Sequence, residues 1–463
     1  MNIISGKVVT DGESFTITSP CGTQTKTGKQ ISGELLHTAF DLPKAITPYT
    51  FSTHLLTKYL KFHQSTFIEA ITIDTGFIRK DAQDLVAGTI ELCEHFSKYA
   101  KLTQTKNLEV PFTYVEPNLR TLTIKPRPYG LVAALTPQNA PLIMEMTVLL
   151  ASLYAGNAIV LRPSSQLITT MHLLYQALID TLPEAILYNI SIVSCSAVEF
   201  LKLSYQKADL IHYIGSSTHG QKILHDALEA NKKALVDGEG TSTVVYDGTL
   251  PIKTAVNLCK TGIIRCNGEL CSTIRTILVH EHLYKDFSQK LAKELDLVTI
   301  GDPTNTASEM GPLFDAHQAE QMIAVSKKYK VIAGQTTQLP QGANYITPIL
   351  LEVAADNFGF LDESVYGPLA AVIPYTNNSW KEWLTKNPYK ITDAVLTTDP
   401  DFYEEFIKTS KAPRIVVNHD PSIESVFEPW GAILPSGQND VSTWIQKYQR
   451  LTHLDLPNNF RHN

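Results

Sequence analysis

The stretch GLVAALTPQNAPLIMEMTVLLASLYAGNAIVL, residues 130–161, decides the fold because its apolar runs alternate in length. Residues 130–135 form a short apolar run, whereas 141–154 form a longer one that is apolar on most faces. This pattern predicts a strand followed by a buried helix, and 158–161 predict the next strand. Strands separated by helices indicate a parallel sheet that is covered on both faces.

The same alternation continues toward the C-terminus. The first series goes on with strands at 189–193, 210–214 and 234–236, and with helices at 171–181 and from about 220. A second series follows with a strand at 243–246, a helix at 252–265, a strand at 273–279 and a helix at 283–295. We therefore predict an α/β chain with two doubly wound sheets and a boundary near residue 240, preceded by strongly helical residues 45–104.

The composition is that of an ordinary globular protein and excludes several classes of function. The chain has 463 residues, of which 43% are hydrophobic and 18% charged, and a formal net charge of -7. This length exceeds what one hydrophobic core supports, so two or three domains are expected. Because the charges are spread along the chain without a run of Lys or Arg, we expect neither nucleic acid nor an anionic membrane as a partner.

Neither a membrane anchor nor an oxidising environment is expected. The longest apolar stretch, 140–156, carries Glu145 and is too short to span a bilayer. The N-terminal residues lack the pattern of a secretory signal. Six cysteines at irregular spacing, without CxxC, predict neither a disulfide framework nor a zinc site. We therefore expect no metal and a cytoplasmic location.

The loop GSSTHG, residues 215–220, joins a predicted strand to a predicted helix. Free N–H groups at the start of such a helix can face an anion, and the helix dipole favours this. Ser216 or Ser217 can equally serve as an ordinary helix cap. Because the loop is not GxGxxG, it leaves dinucleotide binding undecided by itself.

The segment RCNGELC, residues 265–271, places a cysteine in polar, glycine-containing surroundings after a predicted helix. This is not a typical core position, and attack on a carbonyl requires a lowered thiol pKa or a neighbouring donor. Arg265 is a potential source of positive charge. Cys271 is the candidate nucleophile, Cys266 is its rival, and a buried inert pair is the alternative.

Seven strings in order along the chain resemble patterns of the aldehyde dehydrogenase superfamily. PYGLVAALTPQNAPL resembles GxxxxxTPWNFPL, YAGNAIVLRPSSQ resembles AGNxVVLKPSE, and IHYIGSSTHGQKI resembles FTGSTxxGxxI. RCNGELC resembles FNxGQxC, and IGDPTNTASEMGPL resembles VGDPxxxxxxxGPL. ESVYGPL resembles ExFGPV, and PWGAILPSG resembles PFGGxKxSG. The matches are colinear from roughly residue 45 onward, so the chain is identified as a divergent member, with NAD or NADP as the implied cofactor.

The resemblance implies oxidation of an aldehyde through a covalent cysteine intermediate. Cys271 falls on the family nucleophile, which forms a thiohemiacetal and then, after hydride loss, a thioester. Asn139 falls on the asparagine of the oxyanion hole, with the backbone N–H of Cys271 as the second donor. By its position alone, between two prolines, Asn139 would be interpreted as a turn residue.

The resemblance also implies contacts with the cofactor and the substrate. Ser216 falls on the loop serine that meets the pyrophosphate, and Arg162 replaces the lysine that holds the adenosine ribose. The implied cofactor contacts are Thr136, Pro137, Arg162, Ser164, Ser165, Gly215, Ser216, Glu363 and Tyr366. The implied substrate contacts are Met144, Arg265 and His419.

Two departures from the family pattern concern the cofactor. Ser165 stands where NAD-preferring members usually carry glutamate, so a 2′-phosphate would meet no repulsion and NADP is compatible. Ser364 stands at the usual place of the glutamate that grips the nicotinamide ribose. Glu363, one residue earlier, is the substitute if the loop is shifted by one position.

A third departure concerns the general base. Counting back from Cys271 without a gap places Asp237 at the base position, whereas alignment on residues 244–245 places Val236 there. Glu239 lies two or three residues further on.

Hydrolysis of the thioester needs a carboxylate to activate water. Members that transfer the acyl group to coenzyme A lack this group, but the asparagine and cysteine motifs resemble hydrolytic members. We therefore expect hydrolysis, with acyl transfer to coenzyme A or a catalytically degenerate protein as alternatives.

Arg265 is the one clue to the substrate. In succinate-semialdehyde dehydrogenases an arginine six residues before the nucleophile helps to hold the substrate carboxylate, so Arg265 indicates an acidic semialdehyde. The second arginine of those enzymes corresponds to Thr147. A structural ion pair is the alternative role for Arg265.

The implied architecture has three parts and is a homodimer or a homotetramer. Residues 1–105 and 129–239 are expected to form a Rossmann-type NAD(P)-binding domain. Residues 240–437 are expected to form the catalytic domain. Residues 106–128 and 438–463 are expected to form a small β extension for oligomerisation.

Overall fold

The computed structural model describes residues 2–43, 51–102, 106–108, 120–335, 337, 339–342, 344–363, 365–429, 433–437 and 443–457. Ser364, which the family pattern singled out, lies outside these residues. None of the described helices combines the length and the apolar composition needed to cross a membrane.

The first sheet contains seven strands and follows the first predicted series. Its order is β11 (Lys233–Asp237), β10 (Leu210–Ile214), β7 (Leu131–Leu135), β8 (Ala158–Arg162), β9 (Ile190–Ile192), β1 (Asn2–Ile4) and β2 (Lys7–Val9). β7 to β11 pair in parallel, whereas β1 and β2 pair antiparallel. Every residue of β7 is buried, as expected for a strand whose two faces are both covered.

Helices cover both faces of this sheet. One face packs against α2 (His54–Phe62), α3 (Gln64–Thr75), α4 (Arg79–Tyr99), α5 (Ile143–Ala155), α6 (Ile168–Thr181) and α7 (Glu184–Leu187). The other face packs against α1 (Gly33–Ala39), α8 (Ala197–Lys207) and α9 (Ser217–Glu229). α6 and α9 both begin a few residues before their predicted starts.

The second sheet also contains seven strands and follows the second predicted series. Its order is β14 (Lys330–Ala333), β15 (Ile349–Glu352), β16 (Leu369–Tyr375), β13 (Ile274–His280), β12 (Ser242–Tyr246), β17 (Thr392–Leu396) and β18 (Arg414–Val417). Neighbours are parallel except β14 and β15. One face packs against α10 (Ile252–Ile264) and α11 (Glu281–Asp296), and the other against α12 (Ala316–Ser326), α13 (Trp380–Lys386) and α14 (Pro400–Thr409).

The chain passes from one sheet to the other through residues 238–241. β11 ends at Asp237 and β12 begins at Ser242, so the crossing falls near the predicted boundary. Because β7, β8, β10 and β11 are parallel, their carboxyl ends meet at one edge of the first sheet, and this edge faces the loop that leads to β13.

Two smaller sheets complete the described structure. β19 (Gln449–Pro457) pairs antiparallel with β6 (Arg120–Pro128), which pairs with β5 (Lys106–Leu108); α15 (Trp444–Lys447) precedes β19. β3 (Glu13–Thr18) and β4 (Thr25–Gln30) form a hairpin. Strands from both parts of the expected extension thus meet in one sheet, although residues 109–119, 438–442 and 458–463 lie outside the described residues.

Asn157 connects the start of β7, the end of α5 and the C-terminal segment. Its Oδ1 accepts the N–H of Gly130 at 2.9 Å, and its Nδ2 donates to the carbonyls of Ser152 at 3.3 Å and Tyr448 at 2.9 Å. A buried group left without a partner costs about 1–3 kcal/mol, so we expect Asn157→Ala to lower the free energy of unfolding by about 2–4 kcal/mol. Urea denaturation would measure this. The exposed Asn257→Ala is the control and should change stability by less than about 0.5 kcal/mol; equal effects would contradict the prediction.

Candidate active site

A cavity of about 1310 Å³ lies where the carboxyl ends of β7, β8, β10 and β11 face the cysteine loop. Ligands of doubly wound sheets bind at this edge because the strand ends open into loops there. Many of the predicted site residues line the cavity: Thr136, Pro137, Asn139, Met144, Arg162, Ser164, Gly215, Ser216, Asp237, Glu239, Cys271 and Tyr366.

The loop before Cys271 has an unusual backbone shape. Residues 266–268 have φ values of 48°, 55° and 69°, so three successive residues lie in the left-handed region. The buried guanidinium of Arg275 donates hydrogen bonds to carbonyl groups around this turn, those of Gly268, Gly367 and Leu369. These bonds connect the cysteine loop to the start of β16 and thereby fix it against the second sheet.

Of the two cysteines in this loop, Cys271 faces the cavity. It is half-buried, whereas Cys266 is 1% exposed and its backbone N–H bonds to Asp81 at 2.9 Å. Burial raises the pKa of the Cys271 thiol, and the negative charges of Glu424 and Asp237 raise it further. The thiol is therefore protonated at neutral pH, and its proton must leave before or during attack on a carbonyl.

Asn139 lies beside the cysteine loop. Its Nδ2 donates to the carbonyl of Glu269 at 3.0 Å, and its Oδ1 is buried without a partner among the described residues. An amide nitrogen carries two N–H groups, so one remains for an oxygen in the cavity. This is the arrangement that an oxyanion hole requires.

Asp237 is buried at the end of β11 and is surrounded by donors. Its Oδ2 lies 2.8 Å from His212 Nε2, and Lys447 Nζ lies 3.1 Å from both carboxylate oxygens. Burial raises the pKa of Asp237, but the charge of Lys447 and the hydrogen bond from His212 outweigh it and lower the pKa to about 2. Asp237 is thus a permanent anion in the cavity wall and a weak proton acceptor.

Glu239 also lines the cavity. Its backbone N–H donates to Ser217 Oγ at 3.0 Å, which connects it to the start of α9. Burial raises the pKa of Tyr366, and the charges of Cys271 and Glu239 add to this rise. The charges of Glu424 and Asp237 raise the pKa of the Cys271 thiol. Asp237 therefore acts on the thiol directly, whereas Glu239 shares Tyr366 as a neighbour with Cys271.

The start of α9 provides an anion-binding cradle. Ser216 caps the helix, with its Oγ accepting the N–H of His219 at 3.4 Å. A Cβ at Gly238 would lie 2.6 Å from Ser217 Oγ, so a side chain there would fill the cradle. Free N–H groups and the helix dipole at this point suit a diphosphate, so the residues present fit a dinucleotide.

Two predicted cofactor contacts do not line this cavity. Ser165 lines a smaller cavity of about 320 Å³, to which Ser164 also contributes. Glu363 accepts hydrogen bonds from Lys328 Nζ at 2.8 and 2.9 Å. The expected shift of Glu363 into the cofactor site is therefore not seen, because its carboxylate is directed toward Lys328.

Two predicted substrate contacts are also placed elsewhere. The Arg265 guanidinium forms an ion pair with Asp84 at 2.9 Å, which corresponds to the alternative of a structural ion pair. His419 is exposed, and its Nδ1 lies 3.4 Å from the carbonyl of Asp420. Neither lines the cavity, so a role in substrate binding stays a prediction for both.

Comparisons with known proteins agree with this geometry. A family model described as the aldehyde dehydrogenase family matches residues 53–454. The chloroplastic betaine aldehyde dehydrogenase of Atriplex hortensis is 26% identical over 397 residues, which cover 82% of this chain and 78% of that protein. Aldehyde dehydrogenase (NAD(P)+) 1 of Saccharomyces cerevisiae is 25% identical over 424 residues, covering 87% and 82%. The crystal structure of Staphylococcus aureus betaine aldehyde dehydrogenase with NAD+ has a TM-score of 0.88 at 16% identity and covers 100% of this chain and 95% of that chain.

The chain belongs to the aldehyde dehydrogenase family. The predicted family and fold class are thereby confirmed, the first by the match over 53–454 and the second by the two seven-stranded α/β layers and the solved structures of similar fold.

Two cavity residues of this aldehyde dehydrogenase were missed by the motif comparison. Glu269 stands where the family pattern FNxGQxC has glutamine, and this difference was visible in the sequence. Gln318, near the start of α12, has a buried Oε1 without a partner in the described part of the chain. No local pattern marks Gln318, because it reaches the cavity through the packing of the second sheet against the first.

Glu269 predicts a pH dependence of stability. Its Oε1 accepts the N–H of Phe314 at 3.0 Å, and burial raises the pKa of Glu269 to about 8. The folded chain therefore keeps a proton that the unfolded chain loses above pH 4.5, and stability falls as the pH rises toward 8. We expect Glu269→Gln, which has no such proton, to exceed the wild type in stability by at least about 1 kcal/mol at pH 9, with a smaller difference at pH 5. Urea denaturation at both pH values would measure this, and a pH-independent difference would contradict it.

Proposed function

We propose that the protein oxidises an aldehyde to the carboxylic acid with NAD or NADP, through a covalent intermediate on Cys271. The observation that carries this proposal is the presence of Cys271, Asn139 and the start of α9 around one cavity. The relatives support an aldehyde as the substrate class, and the NAD(P)+ enzyme of Saccharomyces cerevisiae and the NAD+ complex from Staphylococcus aureus support the predicted cofactor.

The cradle at α9 is the proposed site of the cofactor diphosphate, with Gly215 and Ser216 in contact. The rest of the proposed cofactor site is lined by Thr136, Pro137, Ser164 and Tyr366, together with Arg162 and Ser165. Arg162 is held by a bond from its Nε to the carbonyl of Cys195 at 2.9 Å, which leaves its other nitrogens for the adenosine ribose. When bound in its oxidised form, the cofactor accepts the hydride of the aldehyde. The neutral Ser165 near this end is compatible with both NAD and NADP.

The Cys271 thiol gives its proton to water in the cavity and its sulfur attacks the aldehyde carbon, so that an S–C bond forms and the carbonyl electron pair moves onto oxygen. The Asn139 N–H and the backbone N–H of Cys271 bind this oxygen in the thiohemiacetal. One such donor contributes about 3–4 kcal/mol to an oxyanion hole. Departure of the hydride converts the thiohemiacetal into a thioester, and Met144 forms part of the wall beside it.

Water then attacks the thioester, releasing the acid and returning the thiol. Of the two carboxylates, Asp237 is proposed as the group that accepts the proton of this water, because it lines the cavity and its charge acts directly on the Cys271 thiol. Lys447 and His212 reduce its basicity, so Asp237 is expected to be a weak general base.

The ion pair between Asp237 and Lys447 favours a second candidate function, transfer of the acyl group to coenzyme A. Coenzyme A brings its own thiol as the nucleophile, so this reaction does not depend on a carboxylate that activates water. The Asp237 to Lys447 contact at 3.1 Å is the observation in its favour. Hydrolysis remains the first proposal because Asp237 is ionised and forms part of the cavity wall.

The small sheet of β5, β6 and β19 is the proposed contact between subunits of a homodimer or homotetramer. In support, β6 and β19 pair along their whole length, and Leu451 on β19 is 67% exposed. The proposed domain bounds stay those of the sequence analysis, with a cofactor domain (1–105 and 129–239), a catalytic domain (240–437) and the extension (106–128 and 438–463).

NAD(P)H formation with a panel of aldehydes, with and without coenzyme A, tests the proposal. We expect turnover of the wild type without coenzyme A and a loss of about a thousandfold or more in Cys271→Ala, because the covalent route is removed. Cofactor binding, followed by fluorescence, should change less than about threefold in this variant.

Each other outcome leads to a definite correction. Turnover that requires coenzyme A would replace hydrolysis by the second candidate. Cofactor binding without turnover of any aldehyde would identify a catalytically degenerate protein. Undiminished activity of Cys271→Ala would overturn the nucleophile.

The base can be identified by pre-steady-state kinetics. We expect Asp237→Asn to form about one NAD(P)H per active site in a burst and then to turn over slowly, because the thioester accumulates when water is not activated. Glu239→Gln is the matched control and should show no burst. A burst in Glu239→Gln instead would transfer the base role to that residue.

A further inference from the structure

The loop that carries Asn139 is bonded at both ends by a single carboxylate. Oε1 of Glu145 accepts the hydroxyl proton of Thr136 at 2.6 Å, and Oε2 accepts the backbone N–H of Leu142 at 2.7 Å. Thr136 directly follows β7, and Leu142 directly precedes α5. One side chain therefore spans the loop from its first residue to its last, with Asn139 in the middle.

Leu142 has a backbone conformation that needs such support. Its φ is 69° and its ψ is -51°, and the N–H of Ile143 donates to the carbonyl of Pro141 at 2.8 Å. This is a γ-turn of the rare, strained hand. A residue in such a conformation costs on the order of 1–3 kcal/mol and persists only where its surroundings fix it. The bond from Leu142 to Glu145 is one of these constraints.

Glu145 lies in an apolar environment. All 13 residues of α5 are buried, and Glu145 itself is 0% exposed. Burial of a carboxyl group is unfavourable unless its oxygens receive hydrogen bonds. An apolar residue would suit this helix face better, so the structural contribution of Glu145 is its pair of bonds to the loop.

Asn139 is also held from the opposite side, by the carbonyl of Glu269 two residues before Cys271. The amide is thus located by the cysteine loop at the tip and by Glu145 at the base of its own loop. Oxyanion-hole donors act over about 2.7–3.1 Å, so a small shift of the loop base moves the amide out of range.

We propose that Glu145 is a positioning residue, which clamps Thr136 and Leu142 and so holds the Asn139 amide where the charge on the substrate oxygen develops. The inference rests on the proposed function, since it assigns a cause to the placement of the proposed oxyanion donor. Glu145 does not line the cavity and is expected to touch neither substrate nor cofactor.

A double-mutant cycle with aldehyde turnover tests this inference. Glu145→Gln keeps the size of the side chain but presents N–H to one of its two donors, so one bond of the clamp is broken. We expect kcat to fall about tenfold or more in this variant, since loss of a whole oxyanion donor costs about 10²–10³-fold. In the Asn139→Ala background the same change should alter kcat less than about twofold, because no amide is left to position.

Binding and reactivity measurements separate positioning from general damage. The Kd of the cofactor and the rate of Cys271 alkylation by iodoacetamide should change less than about threefold in Glu145→Gln, whereas a loosened fold would change both. Asp393→Asn is the matched control, because it neutralises another buried carboxyl, one bonded by Ser410 Oγ at 2.6 Å in the second sheet. This control should leave kcat unchanged in both backgrounds.

Additive effects of Glu145→Gln and Asn139→Ala would overturn the inference and leave the proposed function standing. A tenfold or larger change in cofactor Kd would also overturn it, by showing that Glu145 acts through Thr136 on the cofactor site. A wild type that binds cofactor but oxidises no aldehyde would overturn the proposed function, and this inference with it.

Discussion

A carboxylate withdrawn from water must receive hydrogen-bond donors or a cation, and this requirement organises the walls of the cavity. Asp237 receives Lys447 and stays ionised, with its pKa lowered to about 2. Glu269 receives a backbone N–H, and burial raises its pKa to about 8, so it keeps its proton. Burial raises the pKa of Glu145 to about 7, and its oxygens are occupied by the loop it spans. Three acids of similar intrinsic strength thus differ in charge at neutral pH.

This division of charge determines the surroundings of Cys271, the proposed nucleophile. The one permanent anion among these acids, Asp237, lines the same cavity as Cys271, and its charge raises the pKa of the thiol. The neutral Glu269 side chain lies two residues away without adding a second charge. The start of α9 offers backbone N–H groups, which suit an anionic ligand. The proposed nucleophile and the proposed anion site thus lie on the wall of one cavity.

Much of the fold could be predicted from the sequence because strands covered on both faces need continuous apolar runs. β10 lies at the predicted residues, and β7, β8 and β12 differ from prediction by about one residue. The predicted start of α9, at about residue 220, was too late, because the cap at Ser216 and not the first apolar residue determines where the helix begins. In the candidate site, motifs brought Cys271 and Asn139 to the same cavity, although their roles stay proposals.

The ion pairs could not be predicted, because a sequence pattern records a charge but not its neutralisation. Arg265 looked available for a substrate carboxylate until its pairing with Asp84, far away in the chain, was seen. The carboxylate of Glu363 is likewise held by an ion pair with Lys328, which the sequence pattern does not record.

Lys447 gives the clearest case, since 210 residues separate it from Asp237. During synthesis on the ribosome, both α/β layers emerge well before residue 447 does. The wall of the cavity then holds a carboxylate without its counter-ion, and a nascent chain is expected to acquire a finished active site only when α15 has docked.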